Sequence, residues 1–195
     1  KKYLCILIIL SPLVFSLAVT GCKKKETKDE FSDVKGNYFS INQFIIDQWN
    51  NFDDMPFVII KSTRVDGVTT DSVITNSDTL NWAQIFNTFS ATDISDRKNL
   101  GLYNFNQFDD NQDNTHNFFY MAKDDELFTQ KLLITLDQRT LRVKGIYIET
   151  MKKTVFDECT QKLYYSPIQK VQIQTDDKPL FGKRKHTVVE WDFQR

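Results

Sequence analysis

The apolar and polar positions in the first half of the chain predict two amphipathic helices. Ser40 followed by Gln43 has the form of a capping box, and apolar residues then recur at helical spacing, so we expect a first helix over about 41–51. Its buried face should carry Phe44, Ile45 and Trp49. A second helix is expected over about 79–90, with Asp78 as its N-cap. Its apolar face, at positions i, i+3, i+4 and i+7, consists of Trp82, Ile85, Phe86 and Phe89.

The rest of the chain has the patterns of β-strands. The clearest is a hairpin, in which β-branched runs over 57–65 and 68–75 flank the turn dipeptide Asp66-Gly67. Alternate residues in several later segments are apolar, so one face of the sheet should be buried and the other largely solvated. Seven further strands, separated by polar turns, are expected over 100–108, 117–122, 127–136, 140–149, 154–164, 168–175 and 186–193.

These elements together indicate an α+β fold. The short links between strands favour antiparallel neighbours, which gives a β-meander. A meander of nine strands exceeds what a flat twisted sheet readily keeps open, so we expect it to curl into a half barrel or barrel. The two helices should pack on this sheet. A helical bundle is disfavoured because the chain has only four Ala residues.

The N-terminus has the pattern of a secretory signal peptide. Lys1 and Lys2 precede an apolar run over 3–19, which ends in the sequence Val19-Thr20-Gly21-Cys22. The alternative is an uncleaved transmembrane helix, and Pro12 within the run counts against it. We therefore interpret residues 1–21 as a signal peptide that is removed.

The last four residues of this segment resemble the lipobox of bacterial lipoproteins, with Val19 where Leu is commonest. The resemblance implies cleavage between Gly21 and Cys22 and acylation of Cys22 by fatty acids such as palmitate. The mature protein would then be anchored in a membrane through the acyl chains on Cys22. Only Cys159 would remain as a thiol in the folded part, where we expect a small buried hydrophobic residue rather than a nucleophile.

Residues 22–37 are rich in charge and poor in apolar residues, which is typical of a flexible tether. Within it, Lys28-Asp29-Glu30 resembles the surface-export signal of Bacteroidota lipoproteins, but stands several residues further from Cys22 than is usual. The resemblance implies an outer-membrane lipoprotein of Bacteroidota type, on the periplasmic face or on the cell surface. Residues 38–195 are then one α+β domain.

Composition and charge narrow the classes of partner. The chain has 195 residues, of which 41% are hydrophobic, with 16 Phe, 7 Tyr and 3 Trp, so a globular core is expected. Its 25 basic and 26 acidic residues give a formal charge of −1. Because no strong positive field results, nucleic acid is not an expected partner.

The residues that could carry chemistry do not form a recognisable site. Asp109, Asn111 and Asp113 begin like a calcium loop, but Asn114 stands where that loop needs Gly and Tyr120 where it needs Glu. An acidic turn is the better interpretation, with weak calcium binding as the alternative. Neither of the two histidines, His116 and His186, has a Cys or carboxylate residue at the sequence spacing typical of metal ligands. We expect no metal site and no cofactor.

Two other clusters of charged residues are interpreted as parts of the solvated surface. Glu190 and Asp192 share a strand face at a spacing that would suit a glycosidase pair, but such acids are usually the solvated face of a strand. The basic cluster over 183–186 is interpreted as a solvated hairpin tip, with anionic headgroups or an acidic partner as the alternative. We therefore expect a protein that is not an enzyme.

Aromatic residues are the distinctive feature of the predicted strands and helices, and they give three functional hypotheses. The first is an accessory or interaction module of an outer-membrane protein complex, which we favour. The second is a carrier of an apolar ligand such as a lipid or acyl chain, similar in coarse layout to lipocalin-like proteins. The third is a hydrolase, but the sequence shows no catalytic nucleophile paired with a general base. The candidate contact residues for a ligand or partner are Trp49, Trp82, Tyr103, Phe119, Tyr120 and Trp191.

Overall fold

All nine predicted strands occur in one antiparallel sheet, with two helices on one of its faces. A computed structural model of the protein describes residues 38–52, 58–74 and 81–194. The side chains of Trp49, Phe52 and Ile74 lie outside this description. So do Asp78, the signal peptide and the tether, including Gly21 and Cys22.

Helix α1 (Ile41–Phe52) begins as the sequence predicts. The Ser40 Oγ accepts a hydrogen bond from the Gln43 backbone N–H at 3.1 Å, which is the bond expected of an N-cap. The second half of the predicted capping box is wrong, because the Gln43 amide donates to Asp47 instead of returning to the cap. Ile41 and Ile45 are the buried side chains of this helix, while Phe44 is partly buried.

Helix α2 (Trp82–Ser90) begins later than predicted. Its N-cap is Asn81, whose side chain accepts from the Gln84 backbone N–H at 3.1 Å, so the predicted start at 79 is wrong. Trp82, Ile85 and Phe89 form the buried face, as the spacing predicts. A short 3₁₀ turn (Arg97–Asn99) follows before the sheet resumes.

The strand order is β2-β1-β9-β8-β7-β6-β5-β4-β3, so β3 to β9 form a meander and the first hairpin is added beside β9. This confirms the α+β class and the antiparallel meander. The sheet is open, with β2 and β3 at its edges, so the closed barrel is wrong. The strands are β1 (Val58–Val65), β2 (Val68–Ile74), β3 (Tyr103–Asp110), β4 (Thr115–Ala122), β5 (Thr129–Asp137), β6 (Val143–Lys153), β7 (Asp157–Ser166), β8 (Lys170–Pro179) and β9 (Lys185–Gln194).

The turns between strands fall at two ends of the sheet. We call the end that carries the turns at 66–67, 123–128, 154–156 and 180–184 the tip end, and the other the far end. The first of these turns is the predicted Asp66-Gly67 pair, with φ of 48° and 91°. Two consecutive residues of positive φ are the signature of the type I′ turn that best suits a two-residue hairpin.

The core lies between the helices and one face of the sheet, which we call the inner face. Leu132, Ile134, Ile148, Leu163 and Val171 are fully buried on this face, which agrees with the predicted alternation. The helices add Ile41, Ile45, Ile85 and Phe89. Full burial of each such side chain contributes roughly 1.5–3 kcal/mol, so this interface dominates the stability of the domain. No helix in the described ranges is long and apolar enough to cross a membrane.

Candidate functional site

Four of the predicted contact residues belong to the core. Trp82 lies between two rings, with centroids 5.5 Å from Phe86 and 5.6 Å from Phe193, and it stacks on both. The four buried residues are Trp82, Tyr103, Tyr120 and Trp191, each at most 9% exposed. The side chain of a fifth, Trp49, lies outside the described part. In this structure the four therefore pack against the protein's own side chains.

Tyr103 and Tyr120 form an aromatic cluster with Tyr38, the first described residue. The Tyr38 ring packs edge-on against Tyr103 at 6.2 Å and against Tyr120 at 5.4 Å between centroids. Burial, and then the neighbouring Tyr38, raise the pKa of Tyr103 above its ordinary value. Edge-to-face pairs of this kind contribute about 0.5–1.5 kcal/mol beyond their burial. The cluster therefore holds Tyr38 against β3 and β4.

Trp191 differs from the other buried aromatics because its indole N–H lacks a hydrogen-bond partner. Among the described residues, Trp191 Nε1 is the buried side-chain polar atom left unpaired. The ammonium of Lys61 lies 5.8 Å from the centre of the same ring, on the neighbouring strand. Buried indole N–H groups normally donate a hydrogen bond, because an unpaired one costs roughly 1–3 kcal/mol.

Phe119, the sixth predicted contact residue, lies on the face of the sheet opposite the helices, which we call the outer face. Its register partner on β5 is Leu133, which pairs with Tyr147 on β6 and then with Tyr164 on β7. These four side chains form the outer row, a line across four adjacent strands. Tyr164 is exposed and the other three are partly buried. A solvated sheet face normally carries polar residues, so an apolar row on it is a candidate contact surface.

A groove of about 500 Å³ adjoins the outer row at its β7 end. Gly145 leaves room there, because it has no side chain beside the Tyr164 ring. Thr135 and Ser166 add hydroxyl groups to the lining. The groove therefore offers a concave, partly polar place next to an exposed aromatic ring.

A hydrogen-bonded network borders the outer row. The Tyr147 hydroxyl donates to Glu149 at 2.7 Å, and Lys131 pairs with the other oxygen of that carboxylate at 3.0 Å. Burial opposes ionisation of Glu149, but the hydrogen bonds from Tyr147 and Lys131 outweigh it, and the pKa of Glu149 falls below its ordinary value. Burial and the adjacent carboxylate raise the pKa of Tyr147. The network holds the Tyr147 ring in place on the sheet.

The carboxylates of Glu190 and Asp192 share one lysine. Lys170 Nζ lies 3.0 Å from Glu190 and 3.4 Å from Asp192. The hydrogen bond to Glu190 and the two negative charges raise the pKa of Lys170 despite its partial burial. One ammonium is shared by the two carboxylates, which is the arrangement of a solvated ion-pair cluster on a strand face.

The acidic turn is a hairpin connection closed by its own side chain. Asp110 accepts hydrogen bonds from the backbone N–H groups of Gln112 and Asp113, at 2.9 and 3.3 Å.

The two histidines each pair with an aspartate. His116 pairs with Asp109 and His186 with Asp176, the latter at 3.1 Å. The described ranges contain no cluster of three or more side chains able to hold a metal ion.

Cys159 is partly exposed, which corrects the expectation that it would be buried. It lies on β7 opposite Asp177 of β8, close to the tip end. Burial, and then the hydrogen bond and negative charge of Asp177, raise the pKa of the thiol to about 11. A raised pKa keeps the thiol protonated at neutral pH, and a protonated thiol is a poor nucleophile.

Comparison with known proteins identifies no family for this chain. No family model matches the chain, and no curated protein matches it. Among solved structures, a LolA superfamily protein from Nitrosomonas europaea aligns with 80% of this chain and 92% of its own, at 8% identity and a TM-score of 0.25. A TM-score this low carries no inference about this chain's ligand or partner.

Sequence reasoning found Phe119 but missed the other members of the outer row. Leu133, Tyr147 and Tyr164 alternate with buried neighbours, so their face was readable from the pattern. Their alignment into one row depends on the register of three strand pairs. Register is fixed by turns and bulges, such as the shift between Thr135 and Leu136, which the apolar pattern does not specify.

Proposed function

We propose that this chain is a non-enzymatic, lipid-anchored envelope protein that serves as an interaction module of an outer-membrane protein complex. The lipobox-like sequence ending in Cys22 supports the anchor and the outer-membrane location. The observation that carries the interaction role is the outer row, an aromatic and aliphatic line on the sheet face opposite the helices. Interface residues that contribute most to binding are typically large aromatic side chains in such positions.

The outer row has the composition of a protein-binding surface. The two tyrosines present an apolar ring together with a polar hydroxyl, a combination enriched at interfaces. The Glu149 and Lys131 pair supplies a charged border, and the groove beside Tyr164 can accept a side chain from the partner. A rigid sheet also presents these groups with little loss of conformational entropy on binding.

The proposal includes a curled sheet. Buried inner-face residues extend from Ile59 on β1 to Tyr103 on β3, which spans eight of the nine strands. At about 4.8 Å between neighbouring strands, a flat sheet would be much wider than two helices of about 10 Å diameter. Curling around the helices explains how so wide a face is covered, so we propose a half barrel with β2 and β3 as its free edges.

Site-specific crosslinking tests the interaction role. A photo-crosslinking phenylalanine analogue at position 164 should form an adduct with an integral outer-membrane protein in intact envelopes. The matched position is 73, because Val73 is also exposed but lies on the edge strand β2. The adduct should disappear with Leu133→Glu, which places a charge in the row, and persist with Gln174→Glu on the same face. Equal adducts from both positions, or none from 164, would contradict the proposal.

The second candidate, a carrier for an apolar ligand, is favoured by one observation. The unpaired N–H of Trp191 would be satisfied by a ligand carrying a hydrogen-bond acceptor, such as a fatty acid or a lipid ester. Native mass spectrometry of the protein purified gently from its own envelope tests this. A bound lipid that organic extraction removes, and that Trp191→Phe weakens, would support the carrier. A ligand-free protein would leave the interaction module as the better hypothesis.

A further inference from the structure

The tip end of the sheet carries several strongly exposed apolar side chains. Two neighbouring turns present two such residues each: Val155 and Phe156 between β6 and β7, and Leu180 and Phe181 between β8 and β9. Their exposed fractions are 83%, 69%, 61% and 85%. The turns touch, because the Leu180 backbone N–H donates to the Phe156 carbonyl at 2.7 Å. We call these four residues the apolar tips.

The strand predicted over 154–164 begins only at Asp157, because residues 154–156 form a turn. Thr154 Oγ1 accepts from the backbone N–H groups of Phe156 and Asp157, at 3.2 and 3.1 Å. The Thr154 N–H in turn donates to the Asp157 carbonyl at 2.8 Å. These bonds close a tight turn, so Val155 and Phe156 project from the end of the sheet instead of packing on a face.

The row of exposed apolar residues continues on both sides of the apolar tips. On one side, the β1–β2 turn is bonded to β9 through the Asp66 N–H and the His186 carbonyl, and it carries Val68, 71% exposed. On the other side, the Met151 N–H donates to the Phe128 carbonyl, which places the exposed Phe128 next to the β6–β7 turn. One end of the sheet therefore presents apolar groups from four consecutive turns.

Basic residues accompany the apolar tips. The β8–β9 turn continues from Phe181 into Lys183, Arg184 and Lys185 with no acidic residue among them. Arg184 pairs with Asp176 on β8, while Lys183 and Lys185 make no ion pair with any described residue. Acidic residues also occur at this end: Lys178 pairs with Glu158 and Lys153 with Asp125, and Asp177 lies opposite Lys185 in the strand register. The positive charge is therefore local to the β8–β9 turn, beside Phe181.

The described part of the chain also starts at this end. The Tyr38 hydroxyl accepts from the Gly101 N–H at 3.2 Å, just before β3, whose first residue belongs to the tip end. Tyr38 is only 16 steps along the chain from Cys22, with 15 residues between them. Fully extended, 16 steps reach about 55 Å at 3.3–3.6 Å per residue. If Cys22 is acylated, as the proposed function holds, the membrane lies within reach of the apolar tips.

We propose that the tip end docks on the surface of a lipid bilayer that contains anionic headgroups. Phe156 and Phe181, with their apolar neighbours, enter the boundary between headgroups and acyl chains, while Lys183 and Lys185 contact phosphate groups. Apolar insertion and basic contacts are the two terms that bind proteins at membrane surfaces, and each basic residue near an anionic surface adds about 1 kcal/mol. The strands then stand upright on the membrane, which leaves the outer row accessible to a protein partner.

Fluorescence on vesicles tests the docking in the acylated full protein. A polarity-sensitive label is attached at Val68→Cys in a Cys159→Ser background, on vesicles of phosphatidylcholine with and without phosphatidylglycerol. The matched label is at Leu141→Cys, because Leu141 is 65% exposed at the far end. We expect a blue shift and quenching by brominated lipid for the label at 68, stronger on anionic vesicles, and neither for the label at 141.

A tip variant separates insertion from mere proximity. Phe156→Ser together with Phe181→Ser should abolish the shift at position 68, whereas Leu141→Ser should preserve it, since the anchor and therefore the local concentration stay the same. If the protein floats with the vesicles but the label at position 68 keeps the emission of a water-exposed dye, the docking alone is overturned. Failure of the protein to float at all overturns the lipid anchor and the docking together. A shift that requires an added membrane protein makes the tip end a protein interface and overturns the proposal.

Discussion

The hydroxyl of Ser40 donates a hydrogen bond to Asp93 Oδ2 at 2.8 Å, and so joins the start of α1 to the loop that follows α2. The same carboxylate oxygen accepts from the Asn42 N–H at 2.8 Å, while Asp93 Oδ1 accepts from the Ser95 N–H at 2.7 Å. One carboxylate therefore serves the first turn of one helix and the exit from the other. The relative position of the two helices depends on it.

Removing the Ser40 hydroxyl should destabilise the protein. Ser40→Ala eliminates both the N-cap bond to Gln43 and the bond to Asp93, so we expect the free energy of unfolding to fall by about 1–2 kcal/mol. Urea unfolding monitored by tryptophan fluorescence measures this. The control is Ser40→Thr, which retains the hydroxyl and should lose clearly less. An unchanged midpoint for Ser40→Ala would show that these bonds contribute nothing net.

Asp93 should make stability depend on pH in the acid range. Burial opposes its ionisation, but hydrogen bonds from Ser95, Asn42 and Ser40 outweigh it and hold the pKa of Asp93 below the ordinary 3.8. A group with a lowered pKa in the folded state stabilises fully above 3.8, and this contribution is lost as the pH falls through the folded-state value.

The comparison with Asp93→Asn isolates this contribution from those of other carboxylates. The difference in unfolding free energy between the two proteins should be largest near neutral pH and should shrink as the pH falls below 3.8. Denaturant unfolding across that range is the measurement. A difference that stays constant with pH would mean that Asp93 acts through shape and hydrogen bonding without its charge.

Phe89 should be among the most costly core positions. Its ring is fully buried and packs edge-on against Tyr165, with centroids 6.2 Å apart. Phe89→Ala should lower the free energy of unfolding by about 3–5 kcal/mol. Phe181→Ala is the matched control, because that ring is 85% exposed and its loss should change stability by less than about 0.5 kcal/mol. Equal effects of the two substitutions would refute the assignment of the core.

Gly67 should tolerate a side chain poorly, for reasons of backbone conformation alone. Its φ is 91°, and an added Cβ would meet no atom within 4 Å. Gly67→Ala should therefore cost about 1 kcal/mol through strain without any clash. Asp66→Asn is the control, since Asn retains an oxygen for the His186 N–H and tolerates positive φ. Thermal unfolding of both variants measures the difference.

The anchor is tested in cells. Cys22→Ala removes the residue that the lipobox resemblance assigns to acylation, and the protein should move from the membrane fraction to the soluble fraction of the envelope. Fractionation at high salt with immunoblotting measures the shift, and Cys159→Ala serves as the control that leaves the distribution unchanged. If the Cys22→Ala protein stayed in the membrane fraction, the lipobox interpretation would be wrong.

Local pattern predicted most of the fold because most of its pairings are local. The β-meander joins neighbours in sequence, and the Asp66-Gly67 turn fixes the first hairpin almost unaided. The pairing of β1 with β9 could not be predicted, because it brings Val65 opposite Thr187 and no local signal connects them. The start of α2 was missed because Asn81 and Asp78 are both suitable caps, and only packing chooses between them.

The sequence does not separate core aromatic residues from surface ones among the candidate contact residues. Selecting large aromatics on strands and helices identifies core and surface residues alike, since both use the same side chains. Trp82 and Trp191 are core by burial, whereas Tyr164 is surface, and the sequence distinguishes them only through the face of the helix or strand on which each lies. The sequence pattern predicts a strand at Val155 and Phe156, but hydrogen bonds to the side chain of Thr154 make a turn there.

The position of β1 beside β9 also sets an order of assembly. Strands β3 to β8 can pair as each emerges, because every partner is the preceding strand. The hairpin of β1 and β2 emerges first, yet the strand it joins begins at Lys185, within the last 11 residues of the chain. Closing so long a loop costs entropy and slows folding. The earliest hairpin to emerge is therefore the last to be incorporated, and loss of the final strand would detach it from the sheet.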